Sequence, residues 1–185
     1  MTRILSIDVG IKNLSYCYLN TDKSKTQILD WGNLCVTEEN SKKIKLENLT
    51  EEVLLTLQDN FDDDFEADVV LIENQPMLKN GMMKTVSVII YTYFNMLKIQ
   101  YGNIQEVRFI SATNKLKCSK VDQNINKSNY KDRKKLSIQV AKLYLEKIAP
   151  DKISWFETHK KSDDFADSLN QAIFFIEKIL KYEIL

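Results

Sequence analysis

The chain has 185 residues, 44% of them hydrophobic, which suits one domain with a substantial core. Its 26 Lys and Arg are cancelled by 26 Asp and Glu, which excludes a uniformly basic nucleic-acid binder but not one whose charges are segregated. Four glycines and two prolines are too few for a collagen-like, linker-like or proline-rich disordered chain.

The apolar pattern begins at Ile4 and leaves no room for a signal peptide, and no apolar run reaches the roughly 18 residues of a membrane span. A soluble intracellular protein without a membrane partner is expected. Residues 4–9 read as a strand that carries Asp8 near its end, with Gly10 marking a turn. Runs at 13–20 and 27–36, separated by a polar turn, predict two more strands and hence an antiparallel trio. Helical spacing of Ile44, Leu46, Leu49, Val53, Leu54 and Leu57 predicts an amphipathic helix over 41–60, followed by an acidic loop with Asp62, Asp63 and Asp64.

Residues 68–73 form a continuous apolar run of the buried-strand type that ends on Glu73. A helix over 81–101 is apolar on so much of its surface that it calls for two partners, the sheet and a second subunit. A short strand at 107–110, a polar loop at 113–129 and helices at about 131–147 and 163–182, broken by Pro150, complete the chain. The order predicts a single α/β domain over 1–185, a mixed sheet of three antiparallel and two further strands flanked by helices. Cys17, Cys35, Cys118 and His159 lack zinc-site spacing, and reduced thiols are expected.

Asp8 and Glu73 each end an otherwise apolar strand. A buried carboxylate must be hydrogen-bonded, paired or metal-bound, and ligand sites in open α/β sheets gather at strand C-terminal ends. A turn-forming Asp and a salt-bridged Glu are the plain alternatives. Near the start of the last helix stand Asp163, Asp164 and Asp167, of which Asp164 and Asp167 share a side. Ser162 or Asp163 would serve as an ordinary helix cap, but Asp167 lies beyond the capping positions.

Oxygen-bearing ligands without His or Cys suit a hard cation, Mg²⁺ or Mn²⁺. Two such ions about 4 Å apart would hydrolyse a phosphodiester by in-line displacement. Between 111 and 135, eight bases (Lys115, Lys117, Lys120, Lys127, Lys131, Arg133, Lys134 and Lys135) face only Asp122 and Asp132. This segment is either a solvated basic face or a phosphate-binding rim in which Lys115 and Lys117 are candidate DNA contacts.

Four stretches in order resemble the RuvC-type Holliday junction resolvases, within the RNase H-like superfamily, and among them the short forms of poxviruses and other large DNA viruses. Asp8-Val9-Gly10-Ile11-Lys12-Asn13 resembles the first acidic motif, and Leu71-Ile72-Glu73-Asn74-Gln75-Pro76 the second. Tyr130-Lys131-Asp132-Arg133-Lys134-Lys135 is similar to the viral basic motif, and the stretch 161–170 to the closing acidic helix. The resemblance implies an RNase H-like fold and a homodimer, joined through the 81–101 helix, that nicks a four-way DNA junction symmetrically. It implies Asp8, Glu73, Asp164 and Asp167 as catalytic Mg²⁺ ligands, with Asp163 as a neighbour, and Lys131, Arg133 and Lys134 as DNA contacts. For a poxvirus protein it further implies the host-cell cytoplasm, at viral replication sites, as the place of action. An actin-like or sugar-kinase-like ATP-binding protein, or a non-catalytic junction-binding relative, is the alternative.

Overall fold

Strands β1 (Thr2–Asp8), β2 (Leu14–Thr21) and β3 (Thr26–Leu34) form an antiparallel meander. Helix α1 (Leu46–Asn60) then leads to β4 (Ala67–Asn74), and α2 (Gly81–Tyr101) leads to β5 (Ile104–Ser111). The sheet order is β3-β2-β1-β4-β5, with β4 parallel to both β1 and β5. Helices α3 (Tyr130–Ile148), α4 (Ile153–Thr158) and α5 (Ser162–Phe174) follow, and α5 runs on into a wider turn over Phe175–Leu180. The computed structural model describes residues 1–39, 43–78, 80–117 and 130–184.

Alternation along the strands sorts the core into two layers. Leu5 and Ile7 of β1 and Val70 and Ile72 of β4 join one apolar cluster with α1 and α2. Ile4 of β1 and Val69 and Leu71 of β4 join the other, with α3, α4 and α5. Full burial of such side chains contributes roughly 1.5–3 kcal/mol each, so the register is strongly held. The same period of two puts Asp8 and Glu73 on the α5 face, because they continue the alternation of Ile4 and Leu71. Since Ile7 is paired with Ile72, the two acids end adjacent strands side by side.

The expected mixed sheet is present, with differences at the element ends. β5 begins at Ile104 rather than 107, because it pairs with β4 along its whole length, from Ala67↔Ile104 to Asn74↔Ser111. α1 begins at Leu46, and residues 40–42 lie outside the described residues. The segment after Pro150 is a 3-10 turn followed by α4, whose Phe156 is fully buried against the core, a helix that periodicity over six residues is too short to announce. Cys17 is buried and Cys35 exposed, both as free thiols, while Cys118 lies outside the described residues.

After β1 the chain turns tightly through Gly10. A Cβ there would lie 2.1 Å from the Asn13 carbonyl oxygen, so only glycine allows the chain to reverse this close to Asp8. At the end of α2, Gly102 takes a φ of 72° and accepts the left-handed conformation that stops the helix. Gly10→Ala is expected to lower stability by about 1–3 kcal/mol, read as a lower urea midpoint at constant m-value. An unchanged midpoint would show that the turn relaxes without cost.

Candidate active site

Three elements bring acids to one end of the sheet. Asp8 and Glu73 come from β1 and β4, and α5 lays Asp163, Asp164 and Asp167 across them. α5 is fastened there by polar groups on its buried side as well as by Phe165, Leu169 and Ile173. The Gln171 amide donates to Ser6 Oγ at 3.1 Å, to the Ile7 carbonyl at 3.2 Å and to the Leu71 carbonyl at 3.3 Å, tying the helix to β1 and β4. Ser168 Oγ lies 3.1 Å from Ser15 Oγ and accepts from Trp31 Nε1 at 3.3 Å. Asp167 is one turn before Gln171, so these bonds set its height above the strands.

The acids converge on a lysine. Lys115 follows a short 3-10 turn (Ala112–Asn114) at the end of β5, and only 5% of it is exposed. Its Nζ donates to Asp8 Oδ1 at 2.5 Å, Glu73 Oε1 at 2.9 Å and Asp167 Oδ2 at 3.2 Å. Ser137 of α3 donates to the other Asp167 oxygen at 2.5 Å, and Gln75 Nε2 donates to Glu73 Oε2. Burial works against the Lys115 charge, but Asp8, Asp167 and Glu73 outweigh it and hold the ammonium well above its ordinary pKa. One amine cannot neutralise three carboxylates. Burial, with Glu73 alongside, therefore pushes Asp8 up to about 7 despite Lys115, and burial raises Asp167 as well.

Around this cluster opens a cleft of about 420 Å³ that Asp163, Asp164, Arg133 and Lys134 also line. Lys134 forms an ion pair with Asp163, and among the described residues no side chain caps α5, so Asp163 serves as a salt-bridge partner rather than a cap. Asp164 is raised to about 6 by burial and then by Asp163 and Asp8.

The expected acids are thus brought together. Lys131 and Arg133 are exposed on α3, and Lys117 is exposed with its Nζ 2.9 Å from Asn114 Oδ1. Lys115, expected on a DNA-facing rim, points inward instead, because the acids at the ends of β1 and β4 demand a counter-ion that the β5 end supplies. Lys120 and Lys127 lie outside the described residues. Sequence reading also missed Ser137, Gln75 and Gln171. Gln171 left a signal, a polar residue one turn after Asp167 on an otherwise apolar helix face.

The donor set fits a hard divalent cation: every ligand atom is a carboxylate oxygen, and the negative charge exceeds that of Lys115. Among the described residues no three His, Cys, Asp or Glu side chains already form a coordination cluster. The carboxylates are spaced around an ammonium at 2.5–3.2 Å, wider than the roughly 2.0–2.1 Å of Mg²⁺ ligands, so an ion at that same point would have to displace the ammonium and draw the carboxylates inward.

A mixed five-stranded sheet in this order, with acids on its central parallel strands and on the helix crossing them, is the RuvC-type version of the RNase H-like fold. The fowlpox virus resolvase, solved with Holliday junction DNA, matches it with a TM-score of 0.66 and 23% identity, covering 96% of this chain and 99% of that one. Thermus thermophilus RuvC, solved with a Holliday junction substrate, matches with a TM-score of 0.54 and 14% identity, covering 95% of each chain. Over residues 2–180 the chain matches the family described as Poxvirus A22 protein, and it belongs to that family. Uncharacterized protein L451 of Acanthamoeba polyphaga mimivirus is 35% identical over 125 residues, 60% of this chain, and the chain spans 29% of that protein's length.

Lys115→Met is expected to lower stability in chelator by about 3 kcal/mol, since it leaves buried carboxylates without their cation. Added Mg²⁺ should restore more of the melting temperature in this variant than in the wild type. A variant as stable as the wild type in chelator would show that proton uptake, not Lys115, relieves the cluster.

Proposed function

We propose that the chain is a divalent-metal-dependent endonuclease that resolves four-way DNA junctions by paired symmetrical nicks. The observation that carries this reading is the convergence of Asp8, Glu73 and Asp167 on one buried point, with Asp164 on the same cleft. Membership of the poxvirus A22 protein family and the shared fold of resolvases solved on junction DNA support it.

Asp8, Glu73, Asp164 and Asp167 would hold the metal, Mg²⁺ with Mn²⁺ able to substitute. Bound there, the cation supplies the charge that activates a water and stabilises the leaving oxygen of a phosphodiester. In the hydrolysis a bond forms from the water oxygen to phosphorus, the bond to the leaving sugar oxygen breaks, and that oxygen takes up a proton. Arg133 lines the cleft and Lys131 is exposed two residues before it on α3, so both are placed to meet backbone phosphates. Lys134 tethers Asp163 and keeps that carboxylate turned toward α3. Lys117 adds a further exposed cation beside the β5 end.

Paired nicks require two copies of this site. α2 buries Val86, Ile90, Phe94 and Leu97 against the sheet but leaves Val88, Met96 and Ile99 exposed, the last at 83%. This outer stripe is the proposed homodimer surface. No described helix is long and apolar enough to cross a membrane. If the chain is a poxvirus protein, its place of action would be the host-cell cytoplasm, at viral replication sites.

Asp8→Asn and Glu73→Gln are each expected to lower Mg²⁺-dependent cleavage of a mobile four-way junction by on the order of 10³-fold, with junction binding in chelator retained. Cleavage at the wild-type rate by either variant would overturn the assignment. Met96→Glu combined with Ile99→Glu should give a monomer in light scattering and replace paired nicks by single ones. A dimer that persists would move the interface off α2.

A further inference from the structure

A second groove, of about 400 Å³, lies across α5 from the acidic cleft. Asn33 of β3, Trp155 and His159 at α4, Lys160 and Lys161 before α5, and Phe165 within it line this groove. The first turn of α5 divides the two sites, with Asp164 lining one and the next residue, Phe165, lining the other.

Trp155 is 37% exposed, yet it is held on several sides. Its ring centroid lies 5.3 Å from that of Trp31, 5.0 Å from Phe165 and 4.2 Å from His159, and His159 Nδ1 lies 2.7 Å from the Trp155 carbonyl oxygen. A partly exposed indole fixed in this way is a stacking platform that loses little freedom when it is covered. Lys160 and Lys161 stand exposed beside it. On the same lining, the Asn33 Oδ1 is buried and has no hydrogen-bond partner among the described residues. Turning that amide toward the groove would offer the oxygen to an N–H donor on the edge of a base.

The groove also stands in a definite place relative to the acids. Across the sheet Asp8 is paired with Ser15, and Ser15 with Asn33. Two strand spacings make about 10 Å. That is on the order of three nucleotides stacked at about 3.4 Å, and fewer along an unstacked strand. An aromatic face, two cations and an amide oxygen answer the three parts of a nucleotide: base face, phosphate and base edge. Duplex DNA hides its base faces, so the match is to an unpaired nucleotide, and a branch point is where bases leave the stack most readily.

The geometry points to this groove as a binding site for an unpaired nucleotide of the DNA strand whose phosphate enters the acidic cleft, with its base on Trp155 and its phosphate on Lys160 and Lys161. The assignment rests on the reading of the chain as a junction nuclease. The groove would then select DNA that can release a base near the nick, a shape requirement that the metal ligands alone do not impose.

The test uses fluorescence anisotropy in chelator, so that no strand is cut, with oligodeoxythymidine and a blunt duplex of equal length. Trp155→Ala is expected to weaken single-strand binding about 10-fold and to leave duplex binding nearly unchanged, while Trp155→Phe retains most of it. Replacing Lys160 and Lys161 by Ala should reduce the single-strand salt slope by about 0.7 per lost contact. In an uncut junction, 5-bromodeoxyuridine about one to three nucleotides from the nick should crosslink to Trp155 on irradiation. The crosslink decides the matter should Trp155→Ala fail to fold. Equal losses on single strand and duplex, no loss at all, or crosslinks only elsewhere would each overturn the groove. A wild type that cleaves junctions while Trp155→Ala binds normally defeats this inference alone, whereas a wild type that cleaves no branched DNA defeats the parent reading.

Discussion

Three carboxylates, one buried and two partly buried, within hydrogen-bond reach of one buried ammonium set the terms for the rest of the molecule. Like unit charges about 4 Å apart repel by about 4 kcal/mol even at an effective dielectric of 20, so Asp8, Glu73 and Asp167 cannot be brought together without compensation. Lys115 supplies part of it, and the rise of Asp8 to about 7 records what is left over. Around this cluster every neighbouring element has a definite task. β1 and β4 must lie parallel and end together, β5 must deliver its lysine over their ends, and α3 must bring Ser137 to Asp167. Gln171 and Ser168 hold α5 down against the repulsion between its own acids and those of the sheet. The same residual negative charge that strains the site is what a divalent cation would relieve.

Charge is segregated within the fold rather than balanced locally. Acids fill the end of the sheet, Arg133 and Lys134 flank them from α3, and Lys160 and Lys161 stand on the other side of α5. A net charge of zero is therefore a sum over opposed regions. α5 is the partition: its first turn presents acids to one side and an aromatic ring to the other, and its buried side is polar enough to lock its position.

The strands and long helices were legible because their signals are local. The apolar runs of β1 and β4 and the broad apolar surface of α2 are present in consecutive residues and need no partner to be read. The ends were less legible where pairing decided them: β5 extends to Ile104 because β4 is there to bond with, and α4 exists because Phe156 finds a pocket in the core. Asp8 and Glu73 were conspicuous as acids that end apolar strands, and Asp167 as an acid too deep in its helix to cap it. Lys115 was visible only as one base among eight, since nothing in its neighbours shows that the strand before it lies next to β4.

Periodicity by itself determined a single α/β domain with a mixed sheet flanked by helices, and spacing picked out the candidate carboxylates, because each follows from the pattern along one chain segment; the RNase H-like class came from the resemblance of four motifs in order. Tertiary structure alone decided which cation those carboxylates meet, which polar residues hold α5 in place, and that Trp155 and Asn33 share a groove. Such relations join residues far apart in the chain, and they arise from parallel pairing and helix docking, which bring distant segments together in a way that no local pattern encodes.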